Sequence, residues 1–262
     1  MSLSKINHHP RDDNITFQEE NHEYTILGMP NKPISVTTLI HEYFPKFNAN
    51  FVITKMMSAP RWRQSKYFGR DKESIKDEWE KSGEDAARQG TIMHKGIEDF
   101  LNDISTIEPD TREFALFKTF WTDFLLQYPT LKPYRTEWLV YDEDVGVAGS
   151  IDCVMCSGDK LVILDWKRSK EIKTENKYER GIGPFGNLQN CNYHHYTLQL
   201  NFYRHILENK YGKEVIFMML VILHPNQQSY QCYPVSRIEL KEIWPTITTN
   251  IKINSHPAKH CE

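Results

Sequence analysis

The chain holds no apolar run long enough to cross a membrane, and its N-terminus carries no charged-then-apolar leader. Both absences point to an intracellular protein with no membrane partner. Cysteine is scarce and odd in number: five, at Cys153, Cys156, Cys191, Cys232 and Cys261. That is no disulfide framework, and it fits free thiols in a reducing compartment, with cytoplasm, nucleus and mitochondrion all open. Cys153 and Cys156 form a C-x-x-C, but no second pair stands at zinc-site spacing, which leaves core packing as their role. Positive charge is not in excess. With a formal net charge of −3, no overall basic field advertises a polyanion, so any nucleic acid must be held by local patches. No G-x-x-x-x-G-K-[ST] phosphate loop occurs, which argues against a nucleotide cofactor and a helicase motor. Internal repeats and low-complexity segments are missing too.

What remains is 262 residues, 39% hydrophobic and 26% charged, enough for one substantial core with a small helical lobe. The chain is organised around Gly149-Ser-Ile-Asp152 and Asp165-Trp166-Lys167. Two apolar runs, Val145 to Met155 and Leu161 to Trp166, are separated by Ser157, Gly158 and Asp159, the pattern of a β-hairpin. With Gly158-Asp159 as a two-residue loop, Ser157 faces Lys160 and, counting back, Asp152 faces Asp165. Facing carboxylates repel unless something positive stands between them. Lys167 projects from the same face as Asp165, because side chains alternate along a strand. Val162, Ile163, Leu164 and Trp166 make the second arm almost wholly apolar, so burial on both faces is expected. Charges enter such a strand when paired or bound to a metal. Two acids and one ammonium converging on one spot make a poor core, but they suit a hard cation held beside a reacting phosphate.

Residues 1–14 are polar and expected as a mobile tail, and 254–262 as a frayed end, leaving 15–253 as a single domain. Ile15 to Phe17 and Tyr24 to Leu27 read as a short hairpin. A helix starts near Ser35, capped by Ser35 or Thr37, and breaks near Pro45. The window 55–72 then crowds Lys55, Arg61, Arg63, Lys66, Arg70 and Lys72 around Trp62, Tyr67 and Phe68. Cations for phosphates and flat rings for bases are the ingredients of single-strand binding. A basic amphipathic helix with its rings in the core fits the same composition.

Lys72 to Leu101 reads as a long helix, with His94 and Glu98 one turn apart on one face. Such a histidine is a core residue unless acids meet it across the fold. A second helix spans Thr111 to Tyr128 and completes a helical lobe over about 35–128. Pro133 to Val140 reads as a strand carrying Glu137, either a surface acid or an outer partner of a nearby cation. A polar loop runs from Arg168 to about Asn192, too long for a tight connection. Tyr193 to Leu207 is helical by periodicity, with Tyr196, Gln199 and Tyr203 on one stripe that needs hydrogen-bond partners. Val215 to Leu223 and Gln228 to Val235 read as strands, and Ile238 to Ile251 as a closing helix.

In chain order, Gly90-x-x-x-His94-x-x-x-Glu98, Gly149-x-Ile-Asp152, Asp165-Trp166-Lys167 and Gln199-x-x-x-Tyr203 resemble the motif set of the RecB-like nucleases of the PD-(D/E)XK superfamily. The resemblance covers about residues 90–207. It implies an α/β fold with a central mixed β-sheet flanked by helices, a restriction-endonuclease-like core joined here to the N-terminal helical lobe. It implies DNA as substrate and Mg2+ or Mn2+ as cofactor. By position, His94, Asp152 and Asp165 would be metal ligands, joined by the Trp166 carbonyl. Lys167 would orient or activate the attacking water and stabilise charge on the phosphate. Gln199 and Tyr203 would steady Lys167 and the DNA backbone, with Glu98 and Glu137 in support. Arg61, Trp62, Arg63, Lys66, Tyr67 and Arg70, together with Tyr196, would contact the nucleic acid. Two features depart from the family. Leu164 stands before Asp165 in place of the nominal Pro-Asp arrangement. No cysteine precedes Cys153, so the four-cysteine iron–sulfur cluster of some members is not expected.

The resemblance thus implies a metal-dependent exonuclease on single-stranded or end-bearing DNA. Oxygen-rich ligation favours Mg2+ or Mn2+ over zinc, and the nitrogen of His94 favours Mn2+. A structure-specific flap endonuclease is the nearest alternative. A catalytically inactive DNA-binding subunit is a further one, although such a subunit has no chemical need of a buried charge cluster.

Overall fold

A computed structural model describes residues 2–104 and 108–247. In chain order the elements are α1 (Leu3–Ile6), β1 (Ile15–Gln18), β2 (Glu23–Ile26), β3 (Ile34–Ser35), α2 (Val36–Glu42), α3 (Ala49–Met57), α4 (Lys72–Leu101) and α5 (Arg112–Gln127). They continue with β4 (Lys132–Asp142), β5 (Val147–Ser157), β6 (Lys160–Lys167), α6 (Asn192–Lys210), β7 (Glu214–Ile222) and β8 (Gln231–Pro234). Helix starts follow side-chain caps that satisfy otherwise orphaned N–H groups. Ser35 accepts from the Thr38 N–H at 3.0 Å, Asp71 from Ser74 at 2.8 Å and Thr111 from Phe114 at 3.2 Å.

Two expectations about chain ends change. Residues 3–14 are no mobile tail: α1 and a 3-10 turn at Pro10–Asn14 dock on β4. There Asp12 pairs with Arg135 at 2.6 Å and accepts from the Trp138 indole at 2.9 Å. The expected closing helix does not run on from Ile238. The chain turns at 241–243 and makes a 3-10 turn at Trp244–Thr246, where Pro245 has no N–H to give a helix ladder. Its last part, and the 254–262 segment with Cys261, lie outside the described residues.

The fold is α/β: a six-stranded mixed sheet flanked by helices. The strands run β3-β5-β6-β7-β8, with β4 paired to the far edge of β5. The pairs β3/β5 and β6/β7 are parallel, and the pairs β4/β5, β5/β6 and β7/β8 are antiparallel. Alternation along β6 sends Leu161 and Ile163 into one core with α2 and α6. It sends Val162, Leu164 and Trp166 into a second core with α4 and α5. That double burial is the one expected for an apolar central strand. A small third core, Ile53, Tyr67 and Ile75 with Trp62 and Trp79 against it, holds the helical lobe together.

The hairpin register is the one the turn residues imply, from Ser157↔Lys160 to Cys153↔Leu164. There the ladder stops, one pair before Asp152 and Asp165. Farther along β5, Val147 and Ala148 pair with β4 on one edge and with β3 on the other. So β3 occupies the edge that β6 has left, and β5 is unpaired on that edge between the two. The sheet thus parts beside Asp152 and Asp165.

Candidate functional site

Counting across the third strand extends the row. Thr136↔Cys153 and Trp138↔Ile151 are paired, while Glu137 and Asp152, facing each other between them, are not. Glu137, Asp152 and Asp165 therefore stand side by side on three adjacent strands, and both ladders open at this row. Glu137 has φ +43°, the left-handed region that costs a non-glycine residue ~1–3 kcal/mol. Its carboxylate is steadied by the Ser150 hydroxyl, which donates to Oε2 at 2.8 Å.

His94 enters from α4 and closes the cluster. Its Nδ1 lies 3.5 Å from Glu137 Oε1 and 3.7 Å from Asp152 Oδ2, and its Nε2 lies 3.1 Å from the Trp166 carbonyl oxygen. Ligand atoms of His94, Glu137 and Asp152 all fall within 4.8 Å of one another. Asp152 is buried, and its Oδ2 accepts from the Trp166 N–H at 2.8 Å, bracing the point where the strands part. Asp165 is 1% exposed, with its Oδ2 2.7 Å from Lys167 Nζ. Its Oδ1 is buried with no hydrogen-bond partner among the described residues, so that oxygen keeps its lone pairs. Lys167 Nζ also sits 5.1 Å from the centre of the Tyr196 ring.

The electrostatics follow from burial plus like charges in a row. Burial, with Asp152 adding to it, pushes the Asp165 carboxyl up to about 7 even beside Lys167. Burial raises Asp152 as well, against the pull of His94 and Lys167. For His94, burial opposes the charge, but Asp152 and Glu137 outweigh it and raise the imidazole to about 9. Lys167 is raised likewise: burial resists, while Asp165 and Asp152 hold its proton. Both members of the His94–Asp152 pair are raised, which favours the charged imidazole but opposes the charged carboxylate, because burial dominates for Asp152 whereas its neighbouring anions dominate for His94.

Binding a metal requires neutral imidazole, so a cation must displace the His94 proton. Without metal, the ion pairs of His94 stabilise the fold fully below about pH 6.5, and that contribution fades as pH rises through about 9. The Tm increment at a fixed Mn2+ concentration is thus expected to grow from about pH 6 to about pH 8.5. A flat or shrinking increment in a thermal-shift series contradicts this protonation scheme.

Gly149 shows how closely α6 approaches. A Cβ there would meet the buried Tyr203 ring at 2.6 Å and its hydroxyl oxygen at 3.0 Å. Gly149→Ala is expected to cost ~1–3 kcal/mol, read as a fall in Tm of several degrees; an unchanged Tm would mean that the ring is free to move.

Other expected site residues take different places. Glu137, expected as an outer partner, is in the cluster, while Asp165 is outside it and bound to Lys167. The Trp166 carbonyl faces His94. Gln199 and Tyr203 hydrogen-bond each other at 3.2 Å, and among the described residues neither bonds Lys167. Glu98 pairs with Lys95 at 3.1 Å, outside the cluster. In the basic window, Tyr67 is buried, Trp62 packs on the lobe core, and Lys66 and Arg70 both pair with Glu78. Arg61 and Arg63 are exposed. Two rings of this window, Trp62 and Tyr67, thus serve the lobe core, where Trp79 on α4 donates to the Tyr67 hydroxyl and anchors it, while Phe68 is exposed.

Sequence reasoning missed Tyr24. It comes from the β1–β2 hairpin, and burial together with Glu137 and Asp152 pushes its phenol up to about 12. No local signal marks it, because the place where that hairpin docks is set by the far end of β4.

No family model matches the chain, and no curated protein matches it. Among solved structures, the crystal structure of SSO0001 is similar at 14% identity, covering 86% of this chain and 77% of that one, with a TM-score of 0.36. A likeness of that degree carries no functional argument. The case for a function therefore rests on the cluster at the parted strands.

Proposed function

We propose that this chain is a divalent-metal-dependent deoxyribonuclease that hydrolyses phosphodiester bonds, working on single-stranded DNA or from free ends. The observation that carries the reading is the row Glu137–Asp152–Asp165, opened at the centre of a buried sheet and met by His94 and Lys167. Such a row destabilises a sheet unless a cation neutralises it. The donors suit Mg2+ or Mn2+: carboxylate oxygens, one imidazole nitrogen, and the unpartnered Oδ1 of Asp165. His94, Glu137 and Asp152 would hold the ion, with Asp165 on its border. A divalent ion supplies phosphoryl polarisation and a water of lowered pKa.

The chain's own groups do the rest. Lys167, kept charged by Asp165 and Asp152, offers an ammonium to charge developing on the phosphate. Asp165 fixes that ammonium in place. Tyr196 flanks Lys167 with its ring face, 5.1 Å from the ammonium, a cation–π contact that helps hold it. The free thiols of Cys153, Cys156, Cys191 and Cys232 support an intracellular setting for this activity. No helix among the described residues is long and apolar enough to cross a membrane.

The test is incubation of end-labelled linear DNA, single- and double-stranded, beside covalently closed circles, with Mn2+ or with chelator. Metal-dependent digestion of linear substrates with circles intact is expected. Nicked or linearised circles would replace the exonuclease reading with an endonuclease. No cleavage of any substrate with metal would remove the nuclease reading altogether.

A further inference from the structure

Outside the metal cluster, a groove of about 1160 Å3 opens between α3 with its preceding loop and the segment that leads into α6. Phe47, Phe51 and Tyr178 stand along it with 73%, 65% and 97% of their surface exposed. Rings left in water along one concave surface mark a binding site more often than a failure of packing. Lys46, Lys55 and Lys173 are set among them. Of the two carboxylates of the groove, Glu42 is paired with Lys46 at 2.8 Å, while Glu179 accepts from the neutral Asn190 amide at 2.8 Å and has no cation against it among the described residues. Lys55 and Lys173 form no ion pair among the described residues. The groove therefore presents two unpaired lysines against one unpaired carboxylate, between flat apolar faces.

Its walls are held in shape. The Asn190 amide donates to the Pro45 carbonyl, tying the long loop to the lobe, and Asn176 binds the Asn190 backbone carbonyl at 2.7 Å. The groove and the reaction centre share chain segments. His195 on its wall is followed by Tyr196, whose ring flanks the Lys167 ammonium, and Lys173 lies on the segment that leaves β6 at Lys167.

We propose that this groove carries single-stranded DNA to or from the reaction centre, with bases stacked on Phe47, Phe51 and Tyr178 and phosphates on Lys55 and Lys173. The choice of DNA rests on the nuclease reading; the choice of a single strand rests on the rings, since only unpaired bases offer free faces for stacking. These rings lie outside the 55–72 window, where Trp62 and Tyr67 serve the lobe core and Phe68 is exposed.

The experiment is fluorescence anisotropy of a labelled oligo(dT) in chelator, where binding is read without cleavage. Phe51→Ala with Tyr178→Ala is expected to weaken binding roughly tenfold or more. Lys55→Ala is expected to flatten the slope of log affinity against log salt by about 0.7. Mn2+ affinity, measured on the same proteins, should stay at the wild-type value and so report an intact fold. Unchanged oligo(dT) affinity in the double variant overturns the proposal, as does a wild type that binds duplex or oligo(rU) more tightly. A wild-type dimer that Phe51→Ala dissolves also overturns it, since the groove would then be covered by a second copy. Loss of oligo(dT) binding in the variants of a protein that cleaves nothing leaves the groove assignment standing and sinks the nuclease reading. Cleavage by a wild type whose oligo(dT) binding ignores the groove does the reverse.

Discussion

Lys167→Ala is expected to lower metal-dependent DNA cleavage by roughly 10²–10³-fold while leaving Mn2+ affinity close to that of wild type. Lys167 is outside the set of ligand atoms formed by His94, Glu137 and Asp152, so its loss need not disturb the ion. What disappears is the one ammonium beside Asp165 among the described residues, 2.7 Å from its Oδ2 and 16% exposed. The substitution should not unfold the chain. Asp165, already pushed up to about 7 by burial, takes up a proton when its counter-charge is gone and so avoids being a bare buried anion. Single-turnover cleavage beside a Mn2+ titration separates the two effects. Cleavage that survives the substitution would take Lys167 out of the chemistry.

Glu137→Gln is expected to weaken Mn2+ binding by at least ~10–100-fold without lowering the Tm of the metal-free protein. The amide oxygen can still accept from the Ser150 hydroxyl, and one of the facing negative charges is removed, so the apoprotein gains from lost repulsion what it loses from the His94 pairing. The His94 imidazole should titrate below its present value of about 9, since Glu137 is one of the groups holding its proton. Calorimetric titration and imidazole NMR read the two changes. An unchanged affinity would return the third ligand position to Asp165, where the family resemblance put it.

These two experiments fall on residues that were unequally legible in the sequence. The Asp152–Asp165 opposition follows from a two-residue turn and a period of two, and the structure keeps that count down to Cys153↔Leu164. The limits of α4 were equally plain from its amphipathic stretch, and the structure adds Asp71 as the cap of its first turn. Glu137 was under-read because the count was not carried to the third strand, and its left-handed φ is invisible to pattern reasoning. The swap of roles between Glu137 and Asp165 depends on which acid the lysine takes, a tertiary choice made at 2.7 Å. Residues 3–14 looked like a tail because Asp12 finds Arg135 and Trp138 only after the chain has folded. Composition could not tell the rings that pack inside the lobe, Trp62 and Tyr67, from the exposed Phe47 and Phe51, because all are aromatics near lysines.

The most direct measurement is anomalous diffraction at the manganese edge from crystals grown with Mn2+. The account predicts one strong peak bounded by His94, Glu137 and Asp152 and close to the Asp165–Lys167 pair. No peak there under saturating Mn2+, or an ion held only at other residues, would contradict it.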